Sequence, residues 1–119
     1  VLLPQVGQGA LAVECRDDSE FFVHTLSRIE DPVARREVDA ERAFLAEIGV
    51  GCDLPVAAHA RLVGGGRDNE LELTGALASF DGRVFLDEKR SGFDAVTLGR
   101  EVALHLLDDL GGRAFVAAR

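Results

Sequence analysis

The sequence predicts an α+β fold from residue 31 onward: a helix, a three-stranded antiparallel sheet and a second helix, in that order. Three observations predict it. The stretch "DPVARREVDAERAFLAEIG" has a helix start and a helix stop around an apolar stripe. Residues 70 to 79 alternate apolar and polar with a period of two and run into an Asp81-Gly82 turn. Val102, Leu106 and Leu110 recur at a spacing of four ahead of Gly111-Gly112. A sheet built this way buries one face under the two helices and leaves the other wet.

Element by element, "PQVGQGALAVECR" at 4–16 reads as a Gly-rich turn followed by a strand, with Leu11, Val13 and Cys15 on one face. "DSEFFVHTLSRI" reads as a short helix with Phe22, Leu26 and Ile29 on one side. Asp31 then serves as N-cap and Pro32 as first helical residue, where a missing N–H costs nothing. Val33, Val38, Leu45 and Ile48, with Ala34 and Phe44, form the expected apolar side, and Gly49 stops the helix. Strands are expected at 56–63, 70–79 and 83–90, and a last helix at about 94–110.

Residues 1–30 do not fit this unit and are expected to be a strand and helix completing another domain's sheet. Residues 31–119 form the second domain. Val1 opens inside a structured motif, so the chain is expected to be part of a longer protein.

Composition narrows the function. The 119 residues carry 21 acidic and 13 basic side chains, a net charge of −8, and Lys89 is the lone lysine. Such a surface repels phosphate backbones, which argues against nucleic acid. No apolar run approaches a membrane span of about 18 residues. Cys15 and Cys52 make no disulfide framework, which suits a reducing cytoplasm.

His24, His59 and His105 lie on separate elements without ligand spacing, and no metal site is expected. Gly7-x-Gly9 precedes a strand, whereas phosphate loops follow one, so a tight turn is the simpler reading. Cys15 reads as a core thiol. Cys52, beside Gly51 in a loop after a helix, is either a small buried hydrophobe or a sulfur that holds something. The helix C-terminus and Asp53 both disfavour a thiolate, so a catalytic nucleophile is poorly served there. A sulfur that reacts once with a strong electrophile needs no such activation. Arg42 reads either as an ion-pair partner of Asp39, Glu41 or Glu47, or as a ligand contact. Gln8 is a turn residue or a polar contact.

Taken together, "LPQVGQGALAVECR" and "AERAFLAEIGVGCDLPVAAHA" resemble the porphobilinogen deaminase (hydroxymethylbilane synthase) family over essentially the whole chain. The resemblance implies a dipyrromethane cofactor joined by a thioether to Cys52. It implies that porphobilinogen units, activated by loss of ammonia, are added in turn to that cofactor and released as a linear tetrapyrrole. Arg42 matches a family arginine that pairs with pyrrole carboxylates, for which a planar bidentate donor suits. Gln8 and Arg16 match motif positions near the interdomain cleft.

The loop departs from the family pattern at Val50, Asp53 and Val56-Ala57. The resemblance also places the catalytic aspartate and most basic substrate-binding residues in preceding domains, so no catalytic residue is expected in this chain. The parent enzyme is expected to be a cytoplasmic monomer that binds neither nucleic acid nor membrane. The competing reading is a non-catalytic α+β module, RNA-binding-like or protein-interacting. Helix–three strands–helix is also the order of double-stranded-RNA-binding domains, but Asp94, Asp108 and Asp109 sit where such a domain needs basic residues.

Overall fold

The computed structural model describes residues 2–49, 54–64 and 69–117. The elements are α1 (Glu20–Ser27), α2 (Pro32–Ile48), β1 (Val56–Val63), β2 (Glu70–Ala78), β3 (Phe85–Gly92), α3 (Ala95–Leu104) and α4 (Arg113–Ala117). The strands form one antiparallel sheet in the order β1-β2-β3, with Ala58 opposite Gly75 and Leu73 opposite Arg90. Helices α2 and α3 cover one face, the expected α+β arrangement.

Helix α2 begins as its sequence requires. Asp31 Oδ1 accepts the N–H groups of Val33 (2.8 Å) and Ala34 (3.2 Å), and Pro32 occupies the first turn. Gly49 ends it in the left-handed conformation, φ 71°, donating to the Leu45 carbonyl at 3.2 Å.

The buried stripe is narrower than the apolar pattern suggests. Ala40, Phe44 and Ile48 are buried together with Glu41, whereas Val33 is exposed and Val38 and Leu45 are half-buried. The cause is the crossing with α3. A Cβ on Gly99 would stand 2.3 Å from the Ala40 carbonyl oxygen, so the backbones meet there. Val33 lies about two turns earlier and beyond that contact.

Leu71, Leu73 and Leu77 of β2 are buried as the alternation predicts, and with Phe44, Leu98, Val102 and Leu106 they make the core. Strand β3 starts two residues later than expected because the turn is longer than a two-residue hairpin. Asp81 Oδ1 accepts from Ser79 Oγ (2.6 Å) and the Arg83 N–H (3.1 Å), holding the chain in a loop around Gly82 at φ 68°.

Helix α3 also differs from the regular course expected over about 94–110. Asp94 caps it, accepting from the Thr97 N–H at 2.8 Å. After Leu104 it widens into a π-helical turn, His105–Asp109, closed by the Leu110 N–H on the His105 carbonyl at 3.1 Å. That extra residue in the turn rotates Leu110 out of the stripe begun by Val102 and Leu106, and Leu110 is exposed.

The expected strand within 4–16 is absent. Residues 10–16 pair with no strand among the described residues, Leu11 is fully exposed, and Cys15 is an exposed thiol rather than a core one. An isolated segment cannot satisfy a ladder's hydrogen bonds, so period-two alternation alone does not make a strand. Helix α1 forms where expected but buries none of its residues; Phe21 and Phe22 meet edge to face on its surface. Residues 4–7, by contrast, dock on the sheet: the Pro4 carbonyl accepts the Ala58 N–H at 3.2 Å, and Val6 packs on the core.

Candidate functional site

The two sequence motifs meet at one carboxylate. Glu41, the glutamate of "AER", is 7% exposed. Its Oε2 accepts the Gly7 N–H of "VGQG" at 2.7 Å, and its Oε1 accepts the Ala60 N–H of β1 at 2.8 Å. One turn earlier, Glu37 Oε1 accepts the Leu62 N–H at 3.0 Å. With Pro4 on Ala58, alternate N–H groups along the outer edge of β1 are thereby satisfied, and the edge is closed to strand pairing. A cleft of about 390 Å³ lies between the turn, α2 and β1, lined by Gly7, Gln8, Glu37, Glu41 and His59 among others.

Gln8 sits on the rim of this cleft. Its N–H donates to the Gln5 carbonyl (3.1 Å) and its Oε1 accepts the Gln5 N–H (3.2 Å). Gly7, at φ 68°, makes the turn, and its carbonyl accepts the Ala10 N–H at 3.0 Å. The tight-turn reading of Gly7-x-Gly9 therefore holds.

Arg42 is exposed on α2, and none of the three ion pairs open to it on sequence grounds forms. Glu41 is turned to the two backbone N–H groups, and Glu47 pairs with Arg100 at 3.2 Å. Among the described residues no carboxylate engages Arg42, so its guanidinium is open to an external one. Arg16 instead pairs with Asp18 through both ends of its guanidinium, one contact being Nε to Oδ1 at 3.0 Å, in the exposed segment before α1. The structure therefore joins Gln8 to the Arg42 helix and leaves Arg16 apart from both.

Cys52 lies outside the described residues. Of the described residues on either side, Gly49 caps α2, Leu54 is buried in the core, and the Pro55 carbonyl accepts the Ala78 N–H at 3.0 Å. His59 Nδ1 is 3.8 Å from Glu41, and His105 Nδ1 lies 2.7 Å from Asp109. Among the described residues no three side chains are grouped to hold a metal, and no helix is long and apolar enough to cross a membrane.

On the open face of the sheet, Glu72 lies between Lys89 (2.9 Å) and Arg61 (2.7 Å), which hold its carboxyl below the usual range, Lys89 first. This triad ties the three strands together and stands apart from the cleft.

Glu41 and Glu37 are the residues that the sequence reading passed over. The signal was there: 37, 41, 44 and 48 share one helix face, so two glutamates sit on an otherwise apolar side. A charge on that face asks for a buried partner, and here the partners are backbone N–H groups, of β1 for both glutamates and of the Gly7 turn for Glu41.

Residues 35–108 match the family model described as porphobilinogen deaminase, C-terminal domain. Curated relatives called porphobilinogen deaminase cover nearly all of the chain. They include one from Roseiflexus sp. (strain RS-1), 47% identical over 98% of this chain and 37% of its own length. Another, from Bacillus cereus (strain AH187), is 39% identical over 98% of the chain and 37% of its own length. A third, from Brevibacillus brevis (strain 47 / JCM 6285 / NBRC 100599), is 42% identical over 90% of the chain and 34% of its own length. The chain thus spans little more than a third of the length of these relatives. A match across α2, all three strands and α3 places the chain in the porphobilinogen deaminase family, in its C-terminal domain.

Proposed function

We propose that this chain is the cofactor-carrying C-terminal part of a hydroxymethylbilane synthase. That enzyme joins four porphobilinogen units into the linear tetrapyrrole hydroxymethylbilane, releasing ammonia, for haem and other tetrapyrroles. Residues 31–119 form the cofactor domain, and residues 1–30 belong with the parent's first domain. The carrying observation is the family match, which spans both Arg42 and Cys52.

The residues present suit the implied cofactor. A dipyrromethane bears carboxylates, and Arg42 is an exposed guanidinium with no carboxylate partner among the described residues. Cys52 is the tether, through a thioether, and the bound dipyrromethane supplies the pyrrole carbon from which the chain grows. Arg42 pairs with its carboxylates, and Gln8 offers an amide at the cleft rim. Arg16 contributes once it exchanges Asp18 for a pyrrole carboxylate.

The catalytic aspartate and most basic substrate contacts belong to the parent's preceding domains, so the chain alone is inactive. The parent is a cytoplasmic monomer that needs neither nucleic acid nor a membrane. The matched family does not favour the RNA-binding or protein-interaction alternative.

The test is turnover. The full-length parent should convert porphobilinogen to hydroxymethylbilane, and Cys52→Ala should abolish both this and the colour with Ehrlich's reagent. Turnover at the wild-type rate in Cys52→Ala would overturn the reading.

A further inference from the structure

Glu41 links three pieces of chain that are far apart in sequence. Its own helix presents Arg42 at the next position. Its Oε2 holds Gly7, 34 residues earlier and adjacent to Gln8, and its Oε1 holds Ala60, 19 residues later on the strand that follows the Cys52 loop. The carboxylate is 7% exposed, and its two oxygens each take one backbone N–H. The neighbouring Glu37 accepts the Leu62 N–H of β1, and among the described residues no N–H of the Gly7 turn donates to it. Beside Glu41, the Pro4 carbonyl on the Ala58 N–H and the packing of Val6 on the core hold the start of the chain; beyond residue 10 it is exposed up to α1, apart from Ser19, and α1 buries nothing.

We propose that Glu41 is a positioning residue that sets the Gln8-bearing turn against the Arg42 helix. The inference rests on the functional reading above, because it matters to the reaction only if Gln8 and Arg42 meet the pyrrole chain. A carboxylate is the side chain the geometry calls for. It is acceptor-only at both oxygens and long enough to span two donors. Glutamine keeps the shape but sets an NH₂ donor against one of the two N–H groups. Aspartate keeps the charge but is one methylene short of spanning both.

The experiment is site-resolved amide exchange on this chain, comparing wild type with Glu41→Gln, Glu41→Asp and Glu37→Gln. In both Glu41 variants the Gly7 amide should exchange at least about fivefold faster, the effect of losing a charge-assisted hydrogen bond. The β2 amides of Leu71, Leu73 and Leu77 should keep their protection, and Glu37→Gln should leave Gly7 unchanged. Unchanged Gly7 exchange in both Glu41 variants would overturn the proposal. So would equal acceleration in Glu37→Gln, or loss of Gly7 and β2 protection together in both Glu41 variants, since Glu41 would then be only a core residue.

In the full-length parent, Glu41→Gln should lower kcat/KM for porphobilinogen at least tenfold while the mass of the Cys52 adduct is unchanged. An unaltered kcat/KM also counts against the proposal. The functional reading fails separately, on wild-type protein, if that protein carries no adduct on Cys52.

Discussion

Glu37 on α2 accepts the N–H of Leu62 on the outer edge of β1 at 3.0 Å, one helical turn before Glu41 does the same for Ala60. A helix thus does for this edge what another strand would do, and the sheet ends at β1 without an open ladder there. Removing one such acceptor strands a half-buried N–H. Glu37→Ala should therefore cost about 1–2 kcal/mol in urea unfolding, seen as a lower midpoint with an unchanged m-value. A midpoint equal to wild type would mean that water replaces Glu37 at no cost.

The α2–α3 crossing has no room for a side chain at Gly99. A Cβ there would lie 2.3 Å from the Ala40 carbonyl oxygen, 2.7 Å from the Phe44 nitrogen and 2.8 Å from the Ala43 Cβ. Two of these are backbone atoms, so relief requires moving a helix. At Gly75 the clashing atoms are side-chain atoms of Phe44 and Val102, which can shift. Gly99→Ala should cost about 2–3 kcal/mol and Gly75→Ala less, measured by thermal and urea unfolding. The reverse order would contradict this packing.

Acid should weaken the fold in a defined window. Asp94 is held below the ordinary aspartate value of 3.8 by the Thr97 side chain and then its N–H. Asp81 is lowered by Ser79 and then the Arg83 N–H, Asp108 by Arg113, and Glu72 by Lys89 and then Arg61. For each, the unfolded chain binds more protons in this range, so stability rises with pH. The contribution is complete above the ordinary values of 3.8 and 4.5 and disappears as pH falls through each lowered one. Urea midpoints measured from neutral pH downward should be flat and then fall below about pH 4.5. High salt should blunt the share of Glu72 and Asp108 more than that of the Asp94 cap. A fall beginning near pH 6 would implicate other groups.

Arg42 separates stability from function. It is exposed and makes no ion pair among the described residues, so Arg42→Ala should change unfolding free energy by less than about 0.5 kcal/mol. In the full-length parent the same change should lower kcat/KM at least tenfold, and lysine should restore it only in part because it lacks the bidentate fork. Wild-type turnover in Arg42→Ala would remove Arg42 from the site.

What the sequence made legible follows from which signals are local. Asp31, Pro32 and Gly49 define α2 by short-range chemistry, and the structure has each in its expected role. The alternation at Leu71, Leu73 and Leu77 is likewise realised, because a sheet neighbour on each side is present for β2. The same alternation at Leu11, Val13 and Cys15 produces no strand, since pairing is a property of two segments and not of one. The π-helical turn at His105 and the Gly99–Ala40 crossing depend on packing between distant elements, which periodicity does not encode. Of the candidate site, Gln8 and Arg42 could be named from motifs. The carboxylate that ties their elements together is a long-range contact, visible only as two glutamates on an apolar face.

Peptide mapping by mass spectrometry of the full-length parent, which carries both thiols of this chain, tests directly whether Cys52 is the tether. The expected result is a dipyrromethane adduct on the peptide containing Cys52 and an unmodified, alkylatable Cys15, the exposed thiol before α1. An adduct on Cys15, or none on Cys52 in enzyme that still turns over porphobilinogen, would contradict it.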